Sequence, residues 1–205
     1  DDILIPQEIL SEIDKITKGN VIVATDVGQH QMWAAQYLTF NNPYSILTSG
    51  GAGTMGFGLP AAIGAQVANP DKKVLAIVGD GGFQMTFQEL MLIKEYNLPV
   101  KIFIINNSYL GMVRQWQELF HEKRYSSVDL SYNPDFIKIG EAYGIKSIQL
   151  KNKKDLKKQL KKILESDEAV LVECIVEKEE NVYPMIPAGK DVSCIVGKRG
   201  VLENE

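Results

Sequence analysis

VLAIVGDGGFQMTFQEL, residues 74–90, decides how this chain is built. Val74 to Val78 are apolar without a break. Gly79-Asp80-Gly81-Gly82 ends the run, and the residues after it take helical spacing. An uninterrupted apolar run bounded by glycines is a strand buried on both faces, as in a parallel sheet covered by helices. Ligands of such sheets bind beyond the carboxyl ends of the strands. A carboxylate set among glycines at that edge therefore reads as part of a site.

The same alternation runs outward in both directions. Upstream, PQEILSEIDKITKG (6–19) carries apolar residues at 9, 10, 13 and 16, one helical face closed by Gly19. NVIVATDVG (20–28) reads as a strand ending near Asp26, QHQMWAAQYL (29–38) as a helix, YSILTSG (44–50) as a short strand and LPAAIGAQVANP (59–70) as a helix. Downstream, TFQELMLIKEYNLP (86–99) reads as a helix with Thr86 as N-cap and Glu89 closing a capping box. VKIFIINN (100–107) is a second buried strand, followed by the helices GMVRQWQELF (111–120) and NPDFIKIGEAYG (133–144), the latter with Pro134 in its first turn. IKSIQL (145–150) and AVLVECIV (169–176) are strands. Between them lies the Lys-rich helix NKKDLKKQLKKILES (152–166), docked through residues 156, 160, 163 and 164. The expected architecture is α/β: three layers, a mostly parallel sheet with helices on both faces. One domain covers 1–187. The tail, 188–205, lacks periodicity and reads as a loop or lid.

Composition narrows the class. With 205 residues, 45% apolar and 23% charged, the chain can build one good-sized core. A net charge of −4 argues against a nucleic-acid binder. Cys174 and Cys194 form no CxxC pair, which suits a reduced, cytoplasmic setting. No apolar run is long enough to span a membrane. The opening Asp1–Pro6 has neither an initiating Met nor the basic stretch of a signal peptide, and reads as processed or cut from a longer chain.

Four features converge on the strand ends: Asp26-Val27-Gly28-Gln29-His30, the loop Gly50–Gly58, Gly79-Asp80-Gly81-Gly82, and Asn106-Asn107. Glycines and free helix N–H groups suit phosphate, which an unpaired carboxylate would repel. A divalent cation between Asp80 and the phosphate removes the conflict, and hard oxygen ligands suit magnesium. Asn107, at the end of the next strand, adds a neutral oxygen. Alone, Asp80 also reads as a helix cap and Asn106-Asn107 as a turn. GAGTMG (51–56) matches GxGxxG, so a nicotinamide-binding Rossmann domain is a rival reading.

These residues carry a resemblance. Gly79-Asp80-Gly81, followed after one helix and one strand by Asn106-Asn107, resembles the magnesium–diphosphate motif of thiamine-diphosphate enzymes. GQHQMWAAQ (28–36), GAGTMGFGLPAAIGAQ (51–66), QMTFQEL (84–90), GMVRQWQELF and NPDFIKIGEAYG are similar to the large catalytic subunit of acetolactate synthase (acetohydroxyacid synthase), in its C-terminal, pyrophosphate-binding domain. The likeness runs from Val21 to about Pro187 and implies the thiamine-diphosphate-binding fold. It implies that the side chains of Asp80 and Asn107 and the carbonyl of Tyr109 hold Mg2+. Gly28, Gln29, His30, Gly79, Gly81 and Gly82 would meet the diphosphate, with Gly111 and Met112 completing the cofactor cradle. Gly53 would accept a hydrogen bond from the aminopyrimidine. Met55 would wedge the cofactor into a folded shape that brings its own amino nitrogen beside the reactive carbon. Met85, Met112 and Trp116 would line the substrate channel. Read without the resemblance, Met55, Met112 and Trp116 are also plain core positions. Family members often carry Ala-Ser after the aspartate; Gly81-Gly82 here gives up a hydroxyl contact.

The resemblance implies decarboxylation of pyruvate and its ligation to a second 2-keto acid, pyruvate or 2-ketobutyrate, in branched-chain amino acid biosynthesis. It implies a homodimer or homotetramer, a pyrimidine-binding domain from a partner subunit, FAD in the full-length enzyme and a small regulatory subunit, with no nucleic acid or membrane partner. The glutamate that activates the cofactor belongs to the pyrimidine-binding domain and has no counterpart here, so the fragment alone is expected to be inactive. Pyruvate oxidase, glyoxylate carboligase and 2-keto-acid decarboxylases share the Asp/Asn motif; the 111–120 helix favours acetolactate synthase.

Overall fold

Six strands lie side by side in the computed structural model, which describes residues 2–198 and the backbone of 200–201. They are β1 (Ile22–Thr25), β2 (Ile46–Thr48), β3 (Val74–Gly79), β4 (Lys101–Asn106), β5 (Lys146–Leu150) and β6 (Val170–Ile175). Their order is β2-β1-β3-β4-β6-β5, and every neighbouring pair is parallel. The helices are α1 (Pro6–Thr17), α2 (Gln29–Tyr37), α3 (Gly58–Ala68), α4 (Asp80–Thr86), α5 (Leu90–Glu95), α6 (Gly111–Phe120), α7 (Phe136–Ala142) and α8 (Leu156–Glu165).

Side chains of successive strand residues point to opposite faces, so each central strand feeds two cores. Leu75 and Ile77 of β3, with Phe103 and Ile105 of β4, pack against α1, α2 and α8. Val74, Ala76 and Val78, with Ile102 and Ile104, pack against α3, α4, α5 and α7. The three-layer α/β architecture expected from the apolar runs is present, and the described sheet is parallel throughout. The Lys-rich α8 buries Leu156, Leu160, Ile163 and Leu164.

Three local expectations are corrected. The helix after β3 starts at Asp80, not at Thr86. Thr86 sits at a break between helices and donates its hydroxyl to the Gly56 carbonyl instead of capping, and a short 3-10 turn, Phe87–Glu89, leads into α5. Pro134 precedes α7; the cap is Asp135, which accepts the Lys138 N–H. The residues described after 187 hold more than a loop: a 3-10 turn at Val192–Cys194 and a small antiparallel pair, β7 (Val196–Gly197) and β8 (Gly200–Val201), joined to the body by a Met185–Val196 bridge. Of the tail expected at 188–205, residues 199 and 202–205 lie outside the described residues.

Sheet order places the site. β3 and β4 are direct neighbours, with Gly79 opposite Ile105, so Asp80 and Asn107 leave adjacent strand ends. β1 lies between β2 and β3. The Gly51–Gly56 loop and Asp80 therefore do not follow neighbouring strands, as a dinucleotide fingerprint and its ribose-binding acid would. Among the described residues no helix is long and apolar enough to cross a membrane.

Candidate functional site

Asp80 opens α4 directly after the extended Gly79 and is 1% exposed. Its Oδ2 accepts a hydrogen bond from Asn133 Nδ2 at 2.6 Å. Burial pushes the carboxyl up to about 6, while Asn133 and backbone N–H groups, including those of Gly81 and Ser108, pull the other way. The glycines around it leave no room for side chains. A Cβ on Gly81 would lie 2.8 Å from Leu110, and one on Gly82 would lie 2.1 Å from Asp26 Oδ1.

Asn107 is held as tightly. Its Nδ2 donates to Gln29 Oε1 at 3.1 Å, and its Oδ1 accepts the Tyr109 N–H at 3.1 Å. Gln29 Nε2 in turn donates to Gln115 Oε1 and to the Glu180 carbonyl. Gln115 completes its own bonding on Val182, donating to its carbonyl and accepting its N–H. The Gln29 side chain is thus spent within the protein. What it offers outward is its backbone N–H, one of the unsatisfied donors in the first turn of α2.

Asp26, buried at the end of β1, accepts the N–H groups of Gly56 (3.1 Å) and Gly58 (2.8 Å). It pins the glycine loop to the sheet and satisfies the start of α3. The His30 ring packs against Gly79, where a Cβ would come within 2.9 Å of it. Burial lowers its pKa to about 4, against a raising effect of Asp26, so the imidazole is neutral near pH 7. Its Nε2 is buried without a hydrogen-bond partner.

A cavity of about 250 Å³ lies at this edge. It gathers Gly28, Gln29, His30, Gly53, Met55, Gly79, Asp80, Gly81, Gly82, Asn107, Tyr109, Gly111 and Met112, together with Trp33 and Leu110. Met85 and Trp116 are not among them. Met85 is half exposed, near Gly56. Trp116 packs at a tilt against Phe120, ring centres 5.0 Å apart, and lines a separate surface hollow with Val113 and His121. Sequence reasoning gave no role to Asn133 or Gln115 and none to Asp26 beyond its place at the edge. Asp26 had a signal: an acid ending a strand, ahead of a glycine-rich loop that opens a helix. The other two are joined to their partners only by the fold.

Asp80, Asn107 and Tyr109 all line the cavity, and the side chains of the first two carry hard oxygens. Among the described residues no group of three or more His, Cys, Asp or Glu could hold a metal alone. An ion here needs oxygens from a ligand. The orphaned His30 Nε2 and the glycine cradle fit a diphosphate bound through a divalent cation.

Residues 26–174 match the family described as thiamine pyrophosphate enzyme, C-terminal TPP binding domain. The chain belongs to the thiamine pyrophosphate enzymes. Its relatives in that family include the acetolactate synthase large subunit of Lactococcus lactis, 52% identical over 98% of this chain and 35% of the relative. The acetolactate synthase isozyme 2 large subunit of Escherichia coli is 45% identical over 93% of this chain and 35% of its own length. The mitochondrial acetolactate synthase catalytic subunit of Saccharomyces cerevisiae is 49% identical over 90% and 27%. The chain therefore spans about a third of the length of the curated relatives it matches. Within this thiamine pyrophosphate-binding domain, the buried Arg114 braces the loop after β4. Its guanidinium lies 5.3 Å from the Tyr109 ring centre and 4.9 Å from that of Tyr125, and pairs with Glu118 and Glu179.

Proposed function

We propose that this chain is the diphosphate- and metal-binding portion of an acetolactate synthase. The observation that carries the reading is the meeting of Asp80 and Asn107, from adjacent strand ends, with the unpartnered His30 Nε2 around one glycine-lined cavity. Asp80, Asn107 and the Tyr109 carbonyl would hold Mg2+. His30 Nε2, the first N–H groups of α2 and the glycines would meet the phosphates. When bound, thiamine diphosphate supplies a carbon acid that becomes a nucleophile toward a 2-keto acid. Met55 would press on the bound cofactor from the side of the cavity, since a long, apolar, adaptable side chain suits a wedge. Gly53 would offer its carbonyl, and Met112 would close the wall. Trp116 and Met85, outside the cavity, would meet substrate beyond its mouth.

The rest of the reading concerns the intact protein. Its substrates are pyruvate and a second 2-keto acid such as 2-ketobutyrate. A pyrimidine-binding domain from a partner subunit supplies the activating glutamate, which makes a homodimer or homotetramer the working unit. FAD and a small regulatory subunit belong to that larger assembly. Free thiols at Cys174 and Cys194 suit a reduced compartment, the cytoplasm or, as the name of the yeast relative has it, the mitochondrion.

The test is titration of the chain with thiamine diphosphate, following tryptophan fluorescence through Trp33 at the cavity wall. Expected are saturable quenching that requires Mg2+, no response to NAD, and no turnover of pyruvate by the 205-residue chain alone. Saturable binding of NAD, or pyruvate consumption by the isolated chain, would refute the reading.

A further inference from the structure

We propose that Asn133 is a positioning residue for the metal-binding carboxylate. This rests on the reading of Asp80 as a metal ligand and adds a residue that reading does not include. Asn133 lies in the stretch before α7 and meets Asp80 beside Asn106, at the end of β4. The polarity of its amide is fixed by its neighbours. Gln84 Nε2 donates to the Asp80 carbonyl at 3.2 Å, an acceptor that can take only a donor. The same Nε2 donates to Asn133 Oδ1 at 2.8 Å. Asn133 Nδ2 is thereby turned toward Asp80 Oδ2 at 2.6 Å, and it also approaches Asn106 Oδ1 at 3.4 Å.

The segment carrying Asn133 is itself fastened to the other side of the site. Leu110 N–H donates to the Val128 carbonyl and Leu130 N–H to the Ser108 carbonyl, both at 2.9 Å, while Tyr109 and Asp129 form a bridge. The stretch 128–133 therefore clasps the loop that carries the Tyr109 carbonyl and, through one amide, the Asp80 carboxylate. A charge-assisted hydrogen bond to one carboxylate oxygen resists rotation of the group. It leaves the carboxylate set for an incoming cation before that cation arrives. Partners that orient a metal ligand in this way typically account for about 10–100-fold in metal affinity.

The experiment uses the full-length polypeptide that carries this domain. Mg2+ is titrated at fixed thiamine diphosphate, with tryptophan fluorescence reporting binding and the melting temperature of the metal-free protein reporting fold. Asn133→Leu removes both donors at similar volume and is expected to raise the half-saturating Mg2+ about tenfold while leaving the metal-free melting temperature unchanged. Should Asn133→Leu lower that temperature, Asn133→Ser serves instead; it is polar, too short to reach Asp80, and is expected to weaken Mg2+ to the same degree. Asp80→Asn separates the two readings. If it leaves the Mg2+ requirement intact, Asp80 is no ligand and both readings fall. If it abolishes Mg2+-dependent binding while the folded Asn133 variants bind Mg2+ within twofold of the parent, the positioning role alone is overturned.

Discussion

Asp80 and His30 are both driven toward their neutral forms by burial, and in opposite directions on the pH scale. Asp80 rises from 3.8 to about 6, and His30 falls from 6.5 to about 4. In the metal-free chain the two effects oppose each other. Between about pH 4 and 6 the folded state keeps a proton on Asp80 that the unfolded chain releases, so this residue adds stability as pH falls. Over nearly the same window the unfolded chain protonates His30 and the folded state does not, so this residue removes stability as pH falls. Each shift corresponds to roughly 3 kcal/mol. Compared with the parent by urea unfolding without metal, Asp80→Asn should gain relative stability as pH rises from 4 to 6. His30→Gln should gain relative stability as pH falls from 6.5 to 4. Parallel curves for parent and variants would refute the assignment. At this scale the sequence was informative where chemistry and position coincided, as for Asp80 and Asn107 at strand ends. It was silent on Asn133 and Gln115, whose amides acquire meaning only through partners far along the chain.

Helix α4 shows how an element is set by what it cannot contain. It begins on the heels of β3 because Gly81 and Gly82 let its first turn close against Leu110 and Asp26. Asp26 cannot retreat, since Gly56 and Gly58 hold both its oxygens. Gly82→Ala should therefore destabilise the chain by about 1–3 kcal/mol through overpacking, seen as a lower urea midpoint. Gly51→Ala, where a Cβ meets nothing within 4 Å, should leave the midpoint in place. Equal midpoints for the two variants would contradict this account. The strands were legible because uninterrupted apolar runs have few alternatives, and α8 because its apolar stripe is regular. The start of α4 was missed because glycines at the head of a helix are unfavourable on propensity alone. Tertiary contact outweighs propensity there, and Thr86 with Glu89 offered a plausible but wrong beginning.

At the scale of the molecule, the proposed function would make this domain one wall of a site. The relatives it matches are about three times longer. The full-length polypeptide should therefore retain thiamine diphosphate at least about tenfold more tightly than this domain alone, measured by the same fluorescence titration, because a second surface adds contacts without further ordering of the first. Equal affinity would mean that this wall is the whole binding surface. The α/β plan was readable from the alternation of elements; the strand order was not, because crossover lengths alone do not say which strand neighbours which.

The sheet has one further consequence. It is a hydrogen-bonded partition between two separately filled compartments, one under α1, α2 and α8 and the other under α3, α4, α5 and α7. Side chains on one side never touch those on the other, so a disturbance crosses only by bending the partition itself. Apolar residues behind α8 fill the same compartment as Trp33 and Ile105, which line the cavity. An exchange there would reach the rim where Asp80 and Asn107 emerge from that side first, whereas one under α3 or α5 would have to pass through the partition or α4.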